Sequence, residues 1–230
     1  MVIVPFCYTC NTTNIQKSNG LFVIKVYILQ PRNTKSDLMH EPISNEQMFI
    51  IDQQKVVLQD LDAPGYILDI GGGGEGTIGV LKGEHVIAID TRKEELEEAP
   101  EGPLKIVMDA TNLQFLDNTF DTVTAFFTLM YIKRSDRKRV FKEIYRVLKP
   151  GGYLLIWDVV IPPKGDNTKE WFVVPVVITV HDKEIETGYG VKWEGREQDM
   201  SYCIELAEEV GFEIAAKEEH DQVFHVRLRK

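Results

Sequence analysis

The stretch Ile67-Leu68-Asp69-Ile70-Gly71-Gly72-Gly73-Gly74-Glu75-Gly76 decides the fold. A short apolar run carrying one carboxylate ends in five glycines within six positions. Glycine reaches φ > 0 without penalty and has no Cβ, so such a turn brings the main chain close to a bound molecule between a strand and a helix. A second apolar run, Val86-Ile87-Ala88-Ile89, ends in Asp90, 21 residues after Asp69. A carboxylate that holds a ribose diol is expected there in a strand-turn-helix nucleotide site.

Further elements follow in order. Lys105-Ile106-Val107-Met108 reads as a strand ending at Asp109-Ala110, and Phe120 to Thr128 as a central strand. Residues 135–148 read as an amphipathic helix with Ser135 as N-cap, because Val140, Phe141, Ile144, Val147 and Leu148 recur at helical spacing. Pro150 stops it, and Gly151-Gly152 turn the chain into the apolar run Tyr153 to Trp157. Strands near 66–70, 86–90, 105–108, 121–127 and 153–157 alternate with crossovers. That alternation predicts an α/β, Rossmann-like, mostly parallel sheet with helices on both faces.

These motifs resemble the class I S-adenosylmethionine-dependent methyltransferases, in particular the UbiE-like, type-11 domain, over about Gly65 to Asp158. The resemblance implies a seven-stranded sheet, S-adenosyl-L-methionine as cofactor, and direct attack of an acceptor on the sulfonium methyl. It implies a site of Asp69, Gly71, Gly72 and Gly73 beside the amino-acid tail, and Asp90 with Thr91 at the ribose. Asp109 and Ala110 would then flank the adenine, and Phe127 and Thr128 would border the methionine end. Each carboxylate also has a plainer reading: Asp69 or Asp90 as a helix cap, Asp109 as the start of a turn. Family loops place glycines at alternate positions, and this chain has Glu75 where the third is expected, with Gly76 one step later.

Outside that core, the first 43 residues read as an N-terminal extension with a strand at 21–29 and a loop containing Pro31, Asn33, Ser36 and Pro42. Residues 44–230 read as one domain with its core at 65–158. A helix is expected from Ser44, whose spacing to Gln47 fits a capping box, toward Leu61. Runs at 172–180 and 184–193 read as an inserted hairpin, about 171–193. A helix over 199–210 ended by Gly211 and closing strands near 212–217 and 223–228 complete the chain. The acidic run Glu94, Glu95, Glu97, Glu98, Glu101 and the basic run Lys133, Arg134, Arg137, Lys138, Arg139 both read as solvated helix faces.

With 230 residues and 43% hydrophobic content the chain can bury a full core. Its net charge of -10 opposes bulk nucleic acid as a partner. No run approaches the length of a membrane span, and no basic region precedes an apolar one at the start, so a cytoplasmic protein without a membrane partner is expected. Three cysteines give no disulfide framework, and Cys7 with Cys10 alone falls short of a metal site. The expected partner is a small-molecule methyl acceptor, lying beyond Thr128 to Tyr131 and Trp157-Asp158 under a cover containing Trp171, Phe172, Tyr189 and Trp193. Those aromatics read equally well as hairpin core. Tyr131, Asp158 and His181 are the candidate catalytic groups. An NAD-dependent oxidoreductase would share the glycine turn, but no Tyr-Lys or His-Asp pair accompanies it; a non-catalytic cofactor-binding regulator would keep the whole site.

Overall fold

The computed structural model describes residues 8–17, 20–31 and 44–230. Cys7 and the loop residues Asn33, Ser36 and Pro42 lie outside the described residues.

The molecule is organised by two sheets. Strands β5 (Ile67–Ile70), β6 (Val86–Asp90), β7 (Leu104–Val107), β8 (Phe120–Phe126), β9 (Leu148–Val159), β12 (Glu213–His220) and β13 (Val223–Arg229) form the larger one, in the order β12-β13-β9-β8-β5-β6-β7. β13 pairs antiparallel with both neighbours, and the rest of the ladder is parallel. Every residue of β5 is buried, as expected for a central parallel strand covered on both faces. The edge strand β12 is exposed throughout and carries Glu213, Lys217, Glu218 and Glu219, charges that discourage further pairing. An antiparallel β13 next to β9 also departs from the all-parallel order of dinucleotide-binding sheets.

On one face lie α3 (Arg134–Val147) and α4 (Met200–Val210). Val140, Phe141, Ile144 and Val147 of α3 and Ala207 of α4 pack on Leu68, Val123, Ala125, Leu154 and Ile156. Asp199 caps α4 by accepting from the Tyr202 amide at 2.7 Å, and Gly211 ends it at φ 115°. For α3 the N-cap is Lys133 rather than Ser135, which falls inside the helix. Arg137 also departs from the solvated face expected of its neighbours: it sits on the apolar stripe, 1% exposed.

The opposite face is covered by α1 (Thr77–Lys82), α2 (Lys93–Glu98) and a second sheet. That sheet comprises β1 (Tyr8–Lys17), β2 (Gly20–Pro31), β3 (Met48–Ile50), β4 (Gln54–Leu58), β10 (Trp171–Val180) and β11 (Lys183–Lys192). β10 and β11 make the expected hairpin. The helix expected from Ser44 to Leu61 does not form. The Ser44 amide does donate to Gln47 Oε1 at 3.1 Å, but only a single 3-10 turn over Asn45–Gln47 results. Residues 54–58 then alternate buried and exposed with the period of a strand, and Val56 and Val57 favour that state. β3 and β4 both run parallel to β10 and leave a gap opposite Val174 and Pro175. Proline has no N–H to give a ladder, so the gap falls where a partner strand would gain least. The hairpin and the described segments before residue 59 thus share one sheet.

Candidate active site

The carboxyl ends of β5, β6, β7 and β8 open onto one cavity of about 1080 Å³, roofed by β11. All ten residues expected at the cofactor line it: Asp69, Gly71, Gly72, Gly73, Asp90, Thr91, Asp109, Ala110, Phe127 and Thr128.

The glycine loop is shaped by its neighbours. Gly71 has φ 74°, and a β-carbon there would stand 2.5 Å from Thr128 Oγ1; that hydroxyl is fixed by donating to the carbonyl of Ile70 at 2.9 Å. At Gly73 a β-carbon would meet Glu95 Cβ at 2.5 Å and Asp90 Oδ2 at 3.1 Å. Side chains at these positions would fill the cradle, so the loop's lack of Cβ atoms is a steric requirement of the site.

Asp69 is 3% exposed and accepts from Thr124 Oγ1 at 2.7 Å across the β5–β8 pair. Burial, with the nearby Asp90 charge adding, pushes its carboxyl up to about 7. Asp90 uses Oδ1 to accept the Arg92 amide at 2.9 Å, the contact of a turn carboxylate, and its Oδ2 lies on the side of Gly73. The helix after it begins at Lys93 with Arg92 at the N-cap position, so Asp90 does not cap it. Asp109 accepts the Thr111 amide at 2.8 Å, again a turn carboxylate at the cavity edge.

Three candidates for catalysis separate clearly. Tyr131 lines the cavity, and burial raises its phenol well above its usual range, so at neutral pH it is a hydrogen-bond donor and not a base. Asp158 is fully buried outside the cavity wall. It accepts from the Leu129 and Val159 amides at 2.8 Å each and from Gln198 Nε2 at 2.6 Å. It anchors the 3-10 turn Leu129–Tyr131 and with it the tip of β8. His181 is exposed at the hairpin turn with φ 53° and takes no part in the cavity.

Of the covering aromatics, Tyr189 reaches the cavity and stacks on Phe127, with centroids 4.8 Å apart and planes 17° apart. Trp171, Phe172 and Trp193 are core of the second sheet. Phe127 itself holds φ 46°, an unusual value for a bulky residue, sustained by its amide bond to the Trp157 carbonyl at 2.7 Å and by its burial.

Two acidic residues take roles that periodicity and family spacing did not indicate. Glu95 is buried, not solvated, and lies 2.7 Å from Arg92 Nη1. Its signal was the stripe Glu95-Leu96-Ala99, all buried on the inner side of the acidic run. Glu75 accepts from the hydroxyls of Thr187 and Tyr189, which ties the glycine loop to β11.

Residues 68–156 match the methyltransferase domain family described as "Methyltransferase domain". A sterol methyltransferase-like protein from Botryococcus braunii is 33% identical over 127 residues, 54% of this chain and 28% of that protein. Phosphoethanolamine N-methyltransferase 3 of Arabidopsis thaliana is 26% identical over 186 residues, 76% of this chain and 34% of that protein. The chain therefore spans about a third or less of the length of these relatives. The crystal structure of an S-adenosylmethionine-dependent methyltransferase from Mesorhizobium loti superposes with a TM-score of 0.54 at 16% identity, covering 74% of this chain and 94% of that one, a likeness of fold. With the glycine cradle, the strand-end carboxylates and the domain match in agreement, residues 68–156 are a methyltransferase domain similar to those of the class I S-adenosylmethionine-dependent enzymes, with S-adenosyl-L-methionine as the cofactor.

Proposed function

We propose that this chain transfers the methyl group of S-adenosyl-L-methionine to a small-molecule acceptor bound between the glycine loop and β11. The observation that carries this is the convergence of the ten cofactor residues on one cavity, whose volume of about 1080 Å³ reaches the upper end of the roughly 300–1,000 Å³ usual for ligand sites. Space for a second molecule beside the cofactor follows. Relatives named for sterols and for phosphoethanolamine support a small acceptor in preference to a macromolecule.

In this reading Asp90 holds the ribose through Oδ2, and the backbone at Gly71 and Gly73 passes beside the amino-acid tail, with Asp69 facing its ammonium. Asp109 and Ala110 flank the adenine, while Phe127 and Thr128 border the methionine end. The cofactor supplies a methyl group bound to positively charged sulfur. The protein aligns an acceptor with it and excludes water, which supplies much of the rate without a protein nucleophile. Tyr131 donates a hydrogen bond toward the acceptor.

Calorimetry with S-adenosylhomocysteine, followed by methyl transfer from labelled cofactor to a metabolite panel, tests this. Binding of S-adenosylhomocysteine without binding of NAD is expected; absence of binding at high micromolar concentration would refute it. Methyl transfer confined to tRNA or DNA would refute the small-molecule part.

A further inference from the structure

Glu75 stands where the glycine loop meets the second sheet, and its surroundings specify a charge. Its carboxylate accepts from the Thr187 hydroxyl and, at 3.4 Å, from Tyr189. Both donors are neutral. Glu95, its acidic neighbour, is paired with Arg92, but among the described residues no lysine or arginine pairs with Glu75. Burial and the Glu95 charge both raise its carboxyl, the signature of a carboxylate short of a cation. The same end of the cavity is lined by aromatic side chains: the buried Phe127 and Tyr189, whose faces stack on each other, and the Tyr131 phenol.

A half-buried carboxylate is costly unless something positive stands against it, and a bound ammonium meets that need. We propose that Glu75, framed by Phe127, Tyr131 and Tyr189, selects the acceptor of this pocket, and that the acceptor is a small molecule bearing a basic nitrogen. This rests on the methyltransferase reading of the cavity. The cations Lys133, Lys192 and Arg196 also border the cavity, and Arg196 Nη1 is engaged with the Tyr131 carbonyl at 2.9 Å. An anionic acceptor held by them is the opposite outcome of the test. The cofactor's own ammonium is the other source of positive charge for Glu75.

The experiment uses the full chain and three probes of similar shape: phenethylamine, phenethyl alcohol and phenylacetate. Calorimetry first measures S-adenosylhomocysteine binding to the wild type and to Glu75→Gln, and then titrates each probe into the loaded proteins. The wild type should bind the amine about tenfold more tightly than the other two, in line with a charge-assisted bond set against a neutral one. Glu75→Gln should lose that preference and hold S-adenosylhomocysteine within about threefold of wild type, since glutamine still offers an acceptor oxygen to Thr187. Thr187→Val, which removes a donor and leaves the charge, should keep the preference. Equal binding of amine and alcohol, preference for phenylacetate, or an amine preference that survives Glu75→Gln would overturn the proposal. So would a large loss of S-adenosylhomocysteine affinity in Glu75→Gln, which would assign the carboxylate to the cofactor's ammonium. Failure of the wild type to bind S-adenosylhomocysteine would instead remove the functional reading, and titration of the amine into unloaded proteins would still decide the role of Glu75. If Glu75→Gln does not fold, the wild-type probe ratio and Thr187→Val decide it.

Discussion

Asp90→Ala separates a ligand-binding carboxylate from a turn carboxylate, because the two functions use different oxygens. Oδ1 holds the Arg92 amide at 2.9 Å, with Arg92 Nε 3.8 Å away, while Oδ2 lies 3.1 Å from the β-carbon position of Gly73, over the loop. Loss of a hydrogen bond to a charged group costs about 1.5–3 kcal/mol, which corresponds to a dissociation constant for S-adenosylhomocysteine raised about 10- to 150-fold. Folding should change less. The half-buried carboxylate is partly desolvated to begin with, and its removal relieves repulsion on Asp69, offsetting part of the lost turn contact. Asp90→Asn is the control: it keeps an acceptor for the Arg92 amide and should bind between wild type and Asp90→Ala. Calorimetry gives the dissociation constants and a thermal melt reports folding. If Asp90→Ala melts like wild type and binds S-adenosylhomocysteine equally well, Asp90 serves only the turn and the assignment of the ribose fails.

Asp69 has its carboxyl raised to about 7, so the stability it contributes is present at low pH and is lost as pH rises from the unfolded carboxylate range through 7. A cationic ammonium favours the ionised form, so S-adenosylhomocysteine affinity should rise between about pH 6 and 8, and Asp69→Asn should flatten that profile in calorimetry. Asp158→Ala leaves the buried amides at Leu129 and Val159 and the Gln198 side chain without their acceptor, each worth about 1–3 kcal/mol, so a loss of about 3–5 kcal/mol is expected in urea unfolding. A loss below about 1 kcal/mol would show that Asp158 does not anchor the turn. Trp171→Ala and Trp193→Ala each create a core cavity in the second sheet and should cost about 3–5 kcal/mol, while the folded protein keeps its S-adenosylhomocysteine affinity; a specific loss of affinity would place these rings in the site.

The seven-stranded half of the molecule was legible because its signals are local. Each residue expected at the cofactor lies at or just beyond the end of a short apolar run, and a run such as Ile67 to Ile70 is hydrophobic at nearly every position because both faces of its sheet are covered. The segment from Ser44 to Leu58 misled for a related reason. Its capping box is genuine, but a cap fixes only the first turn, and pairing with β10 then decides the rest. Glu95 and Arg137 were hidden inside runs of like charge, where the buried member differs from its neighbours only by facing inward.

The side of the cavity beneath β11 was illegible on different grounds. The Glu75 to Thr187 contact spans 112 residues, and the Phe127–Tyr189 stack joins a parallel strand tip to a strand of another sheet. No spacing rule encodes such a meeting, since it depends on how the second sheet lies across the first. Glu75 appeared in the sequence as a defect in a glycine pattern, yet the structure gives the substitution a cause. A glycine there could not reach β11, whereas a glutamate in the loop both satisfies two β11 hydroxyls and presents charge to the cavity. In the proposed reading, the cofactor end is held by backbone and by carboxylates of the parallel sheet, and the acceptor end by side chains that cross between sheets. A change in β11 at Tyr189 is therefore expected to alter which acceptor is taken while leaving the cofactor in place.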